Sequence, residues 1–495
     1  MSLGSVAFAL VLLPTLLLYY ALPAARRWLS LLAGTIACCL VFDLVHLPVL
    51  LLLTLGAYLA AVALEHIDGR RSRRLVLLAI LVFLAAVLIG FRAAAFVRPG
   101  SFAVPLGLSF VTLRLAGYVV DVFRRAIPAE RHAGKFSAFA SFFPELASGP
   151  IERGSGLLPQ LGAPPGLQYE AIASGSKLFA WGLFKKIVVA DRLALFVNAV
   201  YGNVGGYDGA AYAVATVLFA VQLYCDFSGY TDMAIGVGRM FGLRLARNFD
   251  RPYEAKTIAE FWTRWHISFS TWLRDYIFLP LVYRSDRLLD GRLPNGIDPT
   301  KAAYALASMT TMALCGLWHG ASWNYLLWGQ ALGAFMVGSV LTRKWRARVG
   351  RRVWAGKLRA LRDPARTAMT FCLVCVSWVF FRANSVGDAL QMLVAIPAGV
   401  ASYAGLLAWA VATGAVGSAD LTRPLLLGQT RFDLFVALAA VSLLILVERL
   451  QARGNVRLLV FSRPAWVRWP LYAAFVFVML VLRATGGGGF IYAGF

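Results

Sequence analysis

Residues 302–341 read AAYALASMTTMALCGLWHGASWNYLLWGQALGAFMVGSVL, without a lysine, arginine, aspartate or glutamate and with one histidine, His319. A helix of roughly 20 apolar residues crosses a bilayer, so this stretch predicts two consecutive membrane helices. Because an imidazole is costly to place inside a bilayer, His319 is a candidate functional residue. Gly316 and Gly320 flank it, and small residues at this spacing are typical of closely packed membrane helices. A histidine that only hydrogen-bonds between helices is the alternative.

The same apolar character extends along the whole chain. Hydrophobic residues make up 60% and charged residues 15% of the 495 residues, and the mean hydropathy is +0.69, outside the range of soluble globular domains. Apolar stretches of spanning length recur at 3–24, 28–43, 47–64, 75–91, 102–120, 209–225, 302–318, 323–341, 367–381, 386–412, 432–447 and 469–483. No linker divides the chain. The sequence therefore predicts an all-α, polytopic membrane protein of one domain, residues 1–495, with about ten to twelve transmembrane helices plus re-entrant or interfacial helices.

The net charge of +24 is distributed in a way that orients the chain in a membrane. Two predicted spans separate each basic cluster from the next, at Arg26-Arg27, residues 70–74 and Arg124-Arg125. All three therefore lie on one side, and an excess of lysine and arginine marks the cytoplasmic side. Residues 343–366 hold ten basic residues against one acid, Asp363, and predict a larger cytoplasmic loop. This pattern places the N-terminus outside and favours membrane lipid, with anionic headgroups, over nucleic acid as the partner.

Two segments in the middle of the chain mix polar residues into apolar sequence. Residues 142–153 combine proline, glycine and charge. Irregular backbone at membrane depth survives only where protein buries it or water lines it, so the segment predicts a re-entrant or cavity-lining element, with a surface loop as the alternative. Residues 222–233 contain Asp226 and Asp232, separated by Gly229. These acids either line a polar cavity or cap a helix at the interface.

Aromatic residues in the stretch 261–278 are spaced as one face of a helix. They are Trp262, Trp265, Phe269, Trp272 and Tyr276. Polar residues occupy a second face, and His266 lies beside the aromatic one. The pattern predicts a helix that lies in, or dips through, the membrane interface. A surface anchor would account for the aromatic residues without any catalytic role.

The chain has five histidines, and two of them suit acid–base chemistry. His46, His66 and His132 fall in predicted loops or at span ends and are interpreted as ordinary interface residues, which leaves His266 and His319. A desolvated imidazole stays neutral, so a ring nitrogen is available to take a proton from an attacking hydroxyl. Signatures of serine hydrolases, P-loop proteins and zinc proteases do not occur in the sequence.

The cysteines offer weaker candidates. The pair Cys372 and Cys375 has no second pair and no nearby histidine, so no metal site is predicted and small buried hydrophobes are the interpretation. Cys315 lies one turn before His319, which makes a thiolate relay an alternative to direct base catalysis.

Several motifs, in chain order, are similar to those of one family. They are VPLGLSF (104–110), FPELASGPIER (143–153), residues 224–250, FWTRWHIS (261–268), TWLRDY (271–276), GLWHG (316–320), WVFFRA (378–383) and the closing FIY (490–492). Together they resemble the membrane-bound O-acyltransferases, in the bacterial branch that contains alginate O-acetylase and the D-alanyl transfer protein of teichoic acids. The longer loop at residues 283–301 differs from that branch and leaves the identity of the polymer open.

The resemblance implies a bundle of helices around a central tunnel that crosses the membrane. It implies that His319 is the catalytic base inside the tunnel and that His266, also needed, lies nearer the cytoplasmic mouth. Further candidates for binding substrate or lining the tunnel are Trp318, Trp265, Arg264, Asp226, Asp232 and Asn324. No tightly bound cofactor is expected, because the acyl thioester, acetyl-CoA or another, is a substrate.

The expected function is O-acetylation of an extracellular or periplasmic polysaccharide such as alginate, by a multi-pass protein of the bacterial inner membrane. A separate periplasmic protein is expected to receive the acyl group and transfer it to the polymer. Peptidoglycan, cellulose and teichoic acid are alternative acceptors. A transporter or flippase is an alternative function, because broken helices and intramembrane acids also mark transport pathways. A structural scaffold, in which both histidines would tolerate alanine, is a further alternative.

Overall fold

The structure is a computed structural model that describes residues 2–97, 104–105, 107–290, 298–353, 356–413, 419–454, 463–484 and 491. Within these ranges all regular secondary structure is helical, which confirms the all-α class. Helices satisfy their backbone hydrogen bonds internally, as a segment inside lipid must.

The α-helices of the described residues are numbered in chain order. They are α1 Val6–Ala21, α2 Arg27–Phe42, α3 Leu47–His66, α4 Arg70–Val97, α5 Leu108–Phe123, α6 Ala133–Ala140, α7 Gly154–Gly162, α8 Tyr169–Phe184, α9 Asp191–Tyr201, α10 Gly209–Met240, α11 Ile258–Arg264, α12 Ile267–Leu273, α13 Leu279–Leu289, α14 Pro299–His319, α15 Trp323–Leu341, α16 Arg343–Val353, α17 Arg362–Arg382, α18 Val386–Thr413, α19 Ala419–Leu426, α20 Arg431–Arg453 and α21 Ala465–Leu482. A π-helical turn at Lys185–Ala190 joins α8 to α9, and another at Arg274–Phe278 joins α12 to α13.

In the described part of the chain, seven helical segments are long and apolar enough to cross a membrane, or eight if α15 and α16, bent by 70° between them, count as one span. The multi-pass architecture is confirmed, but the number is below the predicted ten to twelve. Some predicted spans fall on shorter helices. Helix α1 has 16 residues, and the predicted span 102–120 is described as helix only from Leu108, in the 16 residues of α5. An apolar run in sequence therefore overestimates spans where the helix is short and packed inside the protein.

Helix α10 lies at the centre of the bundle and is 72% buried over its most apolar window. It packs along α8, α9 and α18 and continues the core formed by the first five helices. Two ion pairs tie it to the π-helical turn: Lys186 Nζ lies 2.8 Å from Asp226, and Lys185 Nζ lies 2.8 Å from Asp232. Most of this long helix is covered by protein. Residues 222–233 can therefore include charged side chains within an apolar sequence, because partners in the protein are available to them.

The irregular segment at residues 142–153 is buried, so the surface-loop alternative is wrong. A short 3₁₀ turn at Phe143–Glu145 begins it, and almost every residue that follows is covered by protein. Glu145 pairs with Arg114 of α5 at 2.6 Å, with both side chains inaccessible. Glu145 is therefore paired inside the protein, and Glu152 accepts a hydrogen bond from Ala246 N at 2.6 Å, as buried charges require partners.

The prediction of one helix over residues 261–278 is also wrong. Helix α11 ends at Arg264 and α12 begins at Ile267, and His266 between them has φ 42° and ψ 55°. The break is imposed from outside, because the backbone of residues 248–250 pairs with it: Ile267 N donates to Asn248 O at 2.8 Å, and Asp250 N donates to Arg264 O at 3.0 Å. The aromatic side chains of this stretch are mostly buried, so they are core residues rather than a surface anchor.

Parts of three sequence predictions lie outside the described residues. They concern Leu106 in the motif at 104–110, residues 291–297 in the long loop, and Phe490 and Tyr492 in the closing motif.

Candidate active site

His319 is the last residue of α14 and is 4% exposed. Aromatic rings surround its imidazole, with ring centroids 4.8 Å away at Trp318, 5.0 Å at Trp328 and 5.2 Å at Phe381. The rings come from α14, α15 and α17, so three helices build this part of the site. The end of a helix carries partial negative charge, which favours an imidazolium there over one in the middle of the same helix.

Close packing of α14 and α15 holds His319 in place. A Cβ on Gly316 would lie 2.3 Å from the carbonyl oxygen of Tyr325, so only glycine permits this approach, and the close packing predicted at this glycine is confirmed. The start of α15 is tied to the end of α17 by Asn324, whose Nδ2 donates to Ala383 O at 2.7 Å. Arg92 of α4 donates to Leu317 O at 3.3 Å, satisfying a carbonyl that the helix end leaves without an internal partner.

His266 lies at the break between α11 and α12 and is 1% exposed. Its backbone is left-handed, a conformation that costs a non-glycine residue on the order of 1–3 kcal/mol and persists only where surrounding contacts impose it. Its Nδ1 lies 3.0 Å from Asn248 Oδ1. Its Nε2 is fully buried and has no hydrogen-bond partner among the described residues. Such unpaired buried atoms are rare in proteins and mark places where a ligand or water binds.

Asn248 joins His266 to the rest of the protein and is itself fully buried. Its Oδ1 also accepts from Ser268, from the backbone N at 3.2 Å and from Oγ at 2.9 Å. Ser268 Oγ in turn accepts from Ile151 N at 2.9 Å, which connects the buried segment at residues 142–153 to the site. Three separate parts of the chain, at Asn248, at residues 266–268 and at Ile151, therefore fix the position of one imidazole.

Phe269 bridges the two histidines. Its ring lies 5.0 Å from that of His266 and 6.4 Å from that of His319. It also stacks on Trp318 at 4.5 Å. Residues 53 positions apart in sequence therefore meet in one aromatic core. The shared location supports a joint role that sequence position could only suggest.

The other predicted site residues occupy supporting positions. Trp265 is buried and stacks on Phe261, with ring centroids 5.5 Å apart, so it belongs to the aromatic core next to His266. Arg264 pairs with Glu260 of its own helix at 2.8 Å. Asp226 is held in its ion pair with Lys186 and accepts from Ile491 N at 2.7 Å. Trp318 contacts both Phe269 and His319, so of these residues it is the one that packs directly in the aromatic core around the two histidines.

Two cavities flank the site. The apolar cavity, about 450 Å³, lies between α11–α13 and α14–α15. Three of its lining residues each carry a buried polar atom without a partner in the described part of the chain: Trp262 Nε1, Ser308 Oγ and Thr311 Oγ1. On α14 these positions precede Cys315 and His319 at intervals of three or four residues, so they share one face of the helix.

The polar cavity, about 580 Å³, lies beside Asn248. Its charged lining residues are Lys185, Asp232, Arg239, Arg247, Asp250, Arg251 and Glu448. Asp232, predicted from sequence to line a polar space, therefore does so while paired with Lys185.

His66 and His132 make their contacts elsewhere in the protein. His66 Nδ1 contacts Val62 O at 2.9 Å, and His132 caps the start of α6, accepting from Lys135 N at 3.3 Å. Both contacts are local. The side chain of His46 lies outside the described residues.

Sequence reasoning did not single out Asn248, Trp328 or Phe381, although the structure places all three against a histidine. The sequence offered one signal for Asn248. It is an uncharged polar residue directly before Phe249, in a stretch that resembles the family. Trp328 and Phe381 are apolar residues in apolar helices, which no single-sequence pattern separates from ordinary core.

Fold and site together define a polytopic helical membrane protein with two histidines buried in one aromatic core. The chain belongs to the MBOAT, or membrane-bound O-acyltransferase, family, whose sequence profile matches residues 123–381 and so includes both histidines.

Three relatives illustrate the similarity. The chain is 35% identical over 300 residues to a protein of Azotobacter vinelandii named probable alginate O-acetylase AlgI, covering 59% of this chain and 53% of the relative. It is 34% identical over 288 residues to the Pseudomonas aeruginosa protein of the same name, covering 58% and 50%. It is 32% identical over 321 residues to a Helicobacter pylori peptidoglycan O-acetyltransferase, covering 58% and 56%. The chain spans about half the length of these relatives.

Proposed function

We propose that this protein transfers an acyl group, acetyl, from a cytoplasmic thioester, acetyl-CoA, for O-acetylation of a polysaccharide outside the inner membrane. The observation that carries the proposal is the pair of buried imidazoles, His266 and His319, joined by Phe269 within the residues that match the family. A site of this kind offers proton transfer in a place from which bulk water is excluded, and exclusion protects a thioester from hydrolysis.

His319 is the general base in the proposal. Its ring takes the proton of an acceptor hydroxyl, the oxygen attacks the thioester carbonyl, and the carbon–sulfur bond breaks. The imidazolium returns the proton to the leaving thiolate, so an ester and a free thiol result. The position of His319 at the end of α14 supports this role, because the negative end of the helix favours the transient imidazolium.

The apolar cavity is the proposed route of the thioester donor. Its lining residues on α14 lie between Tyr304 and Met312, on the approach to His319, and its apolar walls suit a slender chain. The buried Trp262 Nε1, Ser308 Oγ and Thr311 Oγ1, which have no partner among the described residues, are the groups proposed to bond amides of such a chain when it enters. Holding the chain in one line fixes the carbonyl carbon next to the base, which lowers the entropic part of the barrier.

The proposed orientation follows from the basic clusters. Arg26, Arg70 and Arg124 mark the cytoplasmic side, so α4 ends toward the outside, and its Arg92 contacts the end of α14 next to His319. His319 then lies in the outer part of the protein and the N-terminus lies outside. This orientation lets donor and acceptor approach the base from opposite sides.

The acceptor is proposed from the relatives. Two are named for alginate and one for peptidoglycan, and both polymers carry hydroxyl groups on sugar rings. We infer a hydroxyl-bearing glycan outside the membrane as the acceptor, with alginate as the first to test, and a separate periplasmic protein that delivers the acyl group to it. If the purified chain alone acetylated an oligosaccharide, that partner would be unnecessary.

The proposal is tested with His319→Ala in cells that make the polymer. Acetate on the polymer should disappear while the amount of protein in the membrane stays normal, and acetylated polymer in that variant would refute the base assignment. Labelled acetyl-CoA supplied to isolated membranes separates the enzyme from a transporter. An acyltransferase releases free CoA as acetate is transferred, whereas a transporter of the polymer releases none.

A further inference from the structure

The contacts of Asn248 identify its amide oxygen without ambiguity. The backbone N–H of Ser268 can only donate, and the atom that it meets at 3.2 Å is Oδ1. Ser268 Oγ accepts from Ile151 N, which leaves its own hydrogen to donate to the same Oδ1 at 2.9 Å. A flipped amide would place an NH₂ group against two donors, so the oxygen must face them.

The same oxygen then fixes the proton on His266. Nδ1 lies 3.0 Å from Oδ1, and an amide oxygen carries no hydrogen, so Nδ1 must be the donor. A neutral imidazole has one N–H, which leaves Nε2 with a lone pair. Nε2 is also the atom that has no partner within the described ranges.

We propose that Asn248 is a positioning residue that holds neutral His266 as the Nδ1–H tautomer, so that Nε2 accepts a hydrogen bond from an N–H or O–H group of a substrate. This inference rests on the proposed function, and it states the polarity of the group that His266 binds. An amide N–H of the thioester donor or a hydroxyl of the acceptor fits. A carbonyl, a phosphate or the oxyanion of the reaction does not, because none of them has a hydrogen to give.

The aromatic rings around His266 cannot donate a hydrogen bond to Nε2, so we assign the donor to the substrate. The His266 ring meets Phe227 edge-on at 4.6 Å and Phe269 at 5.0 Å, and neither ring offers an N–H or O–H group. The backbone of Asn248 holds the position as well, because its O accepts from Ile267 N at 2.8 Å. The imidazole therefore cannot turn to exchange its two nitrogens without breaking its hydrogen bond to Asn248.

The tautomer is measured on the full-length protein in lipid nanodiscs, labelled with ¹⁵N-histidine. Five histidines keep the spectrum simple, and the signal that disappears in His266→Gln identifies His266. The expected spectrum has a protonated Nδ1 and a bare Nε2. A bare Nδ1 with a protonated Nε2 would overturn the proposal. The wild-type spectrum needs neither substrate nor activity, so its failure leaves the proposed acyltransferase function standing.

Variants of Asn248 test its positioning role. Asn248→Asp keeps an oxygen acceptor at Nδ1, so Nδ1 should stay protonated. Asn248→Ala should give a mixture of the two tautomers. The matched control is Thr231→Val, which loses only the 3.5 Å contact to Asn248 Nδ2 and should keep the wild-type tautomer. If folded Asn248→Ala keeps that tautomer, Asn248 does not set it; if that variant fails to fold, Ser268→Ala, which removes one donor to Oδ1, takes its place with a partial mixture expected.

Substrate binding tests the acceptor role of Nε2. Acetyl-CoA or an alginate oligosaccharide, added to the labelled protein, should move the Nε2 signal in the direction of an accepted hydrogen bond. The substrate that moves the signal shows whether His266 binds the acyl donor or the hydroxyl acceptor. If neither moves the signal at concentrations that saturate turnover, His266 does not bind a substrate donor group and the proposal fails.

Discussion

The two histidines are buried to a similar degree, but the protein holds them in different ways. His319 ends a regular helix, and its immediate neighbours are aromatic rings on α14, α15 and α17. His266 lies in a helix break, and a chain of hydrogen bonds through Asn248 and Ser268 fixes its ring. A ring held by hydrogen bonds through Asn248 keeps a single tautomer. In the proposed function, His319 transfers the proton and His266 positions the substrate.

The charged residues of the core form a third environment. Lys186 bridges Asp191, at 2.7 Å, and Asp226, at 2.8 Å, so the charges compensate one another. Asp226 was a candidate for the substrate path, and the structure places it within a paired network. The ion pairs of Lys186 therefore hold α10 to the π-helical turn at Lys185–Ala190 and the start of α9.

The largest effect is expected for His319→Gln. Glutamine keeps a polar side chain but cannot take a proton at neutral pH, so acyl transfer should fall by about 10²–10⁴-fold, the contribution of a general base. The measurement is CoA release per folded molecule. In the double variant with His266→Gln the losses should not multiply, because residues that serve one step act as a unit. Fully multiplicative losses would show that the two imidazoles act independently.

Asp226→Asn should affect folding more than chemistry. Removing one partner of a buried ion pair costs about 3–5 kcal/mol, and the low end is expected because Asp191 still pairs with Lys186. Thermal unfolding in detergent should occur at a lower temperature, while CoA release per folded molecule stays within a few-fold of wild type. A stable but inactive variant would instead place Asp226 on the substrate path.

Gly316→Val should push α15 away from His319. The added side chain would overlap Tyr325 O, which lies 2.3 Å from the position of a Cβ, and overpacking of this kind costs about 1–3 kcal/mol. Stability and CoA release should fall together. The control is Gly338→Ala in the same helix pair, where a Cβ meets nothing within 4 Å, and neither quantity should decrease. Equal effects of the two substitutions would show that close packing at Gly316 has no special role.

The smallest effect is expected for Asn324→Ala. The variant loses one hydrogen bond, from Nδ2 to Ala383 O at 2.7 Å, and leaves that carbonyl unpaired, a change of about 1–3 kcal/mol. Unfolding measurements should detect it, with only a small change in transfer rate because the lost hydrogen bond joins α15 to the end of α17. A loss of activity as large as that of His319→Gln would make Asn324 a direct participant.

Some of this architecture could be predicted from the sequence alone, for identifiable reasons. His319 stood out because it is the single histidine in a long stretch without lysine, arginine or acid, and its burial follows from that local composition. His266 stood out through the aromatic residues spaced around it. The helix break at His266 could not be predicted, because it depends on backbone pairing with residues 248–250, which are distant in sequence. Asn248 was missed for the same reason, since its role exists only in the folded chain.

The span count shows a related limit. Hydropathy reports which segments avoid water but not whether lipid or protein covers them. Almost all of α5 is buried within the bundle, so its apolar residues reflect core packing as much as contact with lipid. The acids Asp226 and Asp232 were left between a cavity and a structural role because both environments require the same residue types. The contacts of each acid in the folded protein, and not its position in the sequence, distinguish the cavity-lining role from the structural one.

The most direct test of the account is a single-turnover measurement of CoA release from labelled acetyl-CoA, with purified wild type, His319→Gln and Asp226→Asn in proteoliposomes containing acceptor and partner. All rates are expressed per folded molecule. The account predicts near wild-type release for Asp226→Asn and at least a hundredfold slower release for His319→Gln. Rapid release by His319→Gln, or loss confined to Asp226→Asn, would contradict the assignment of proton transfer to the imidazole at the end of α14.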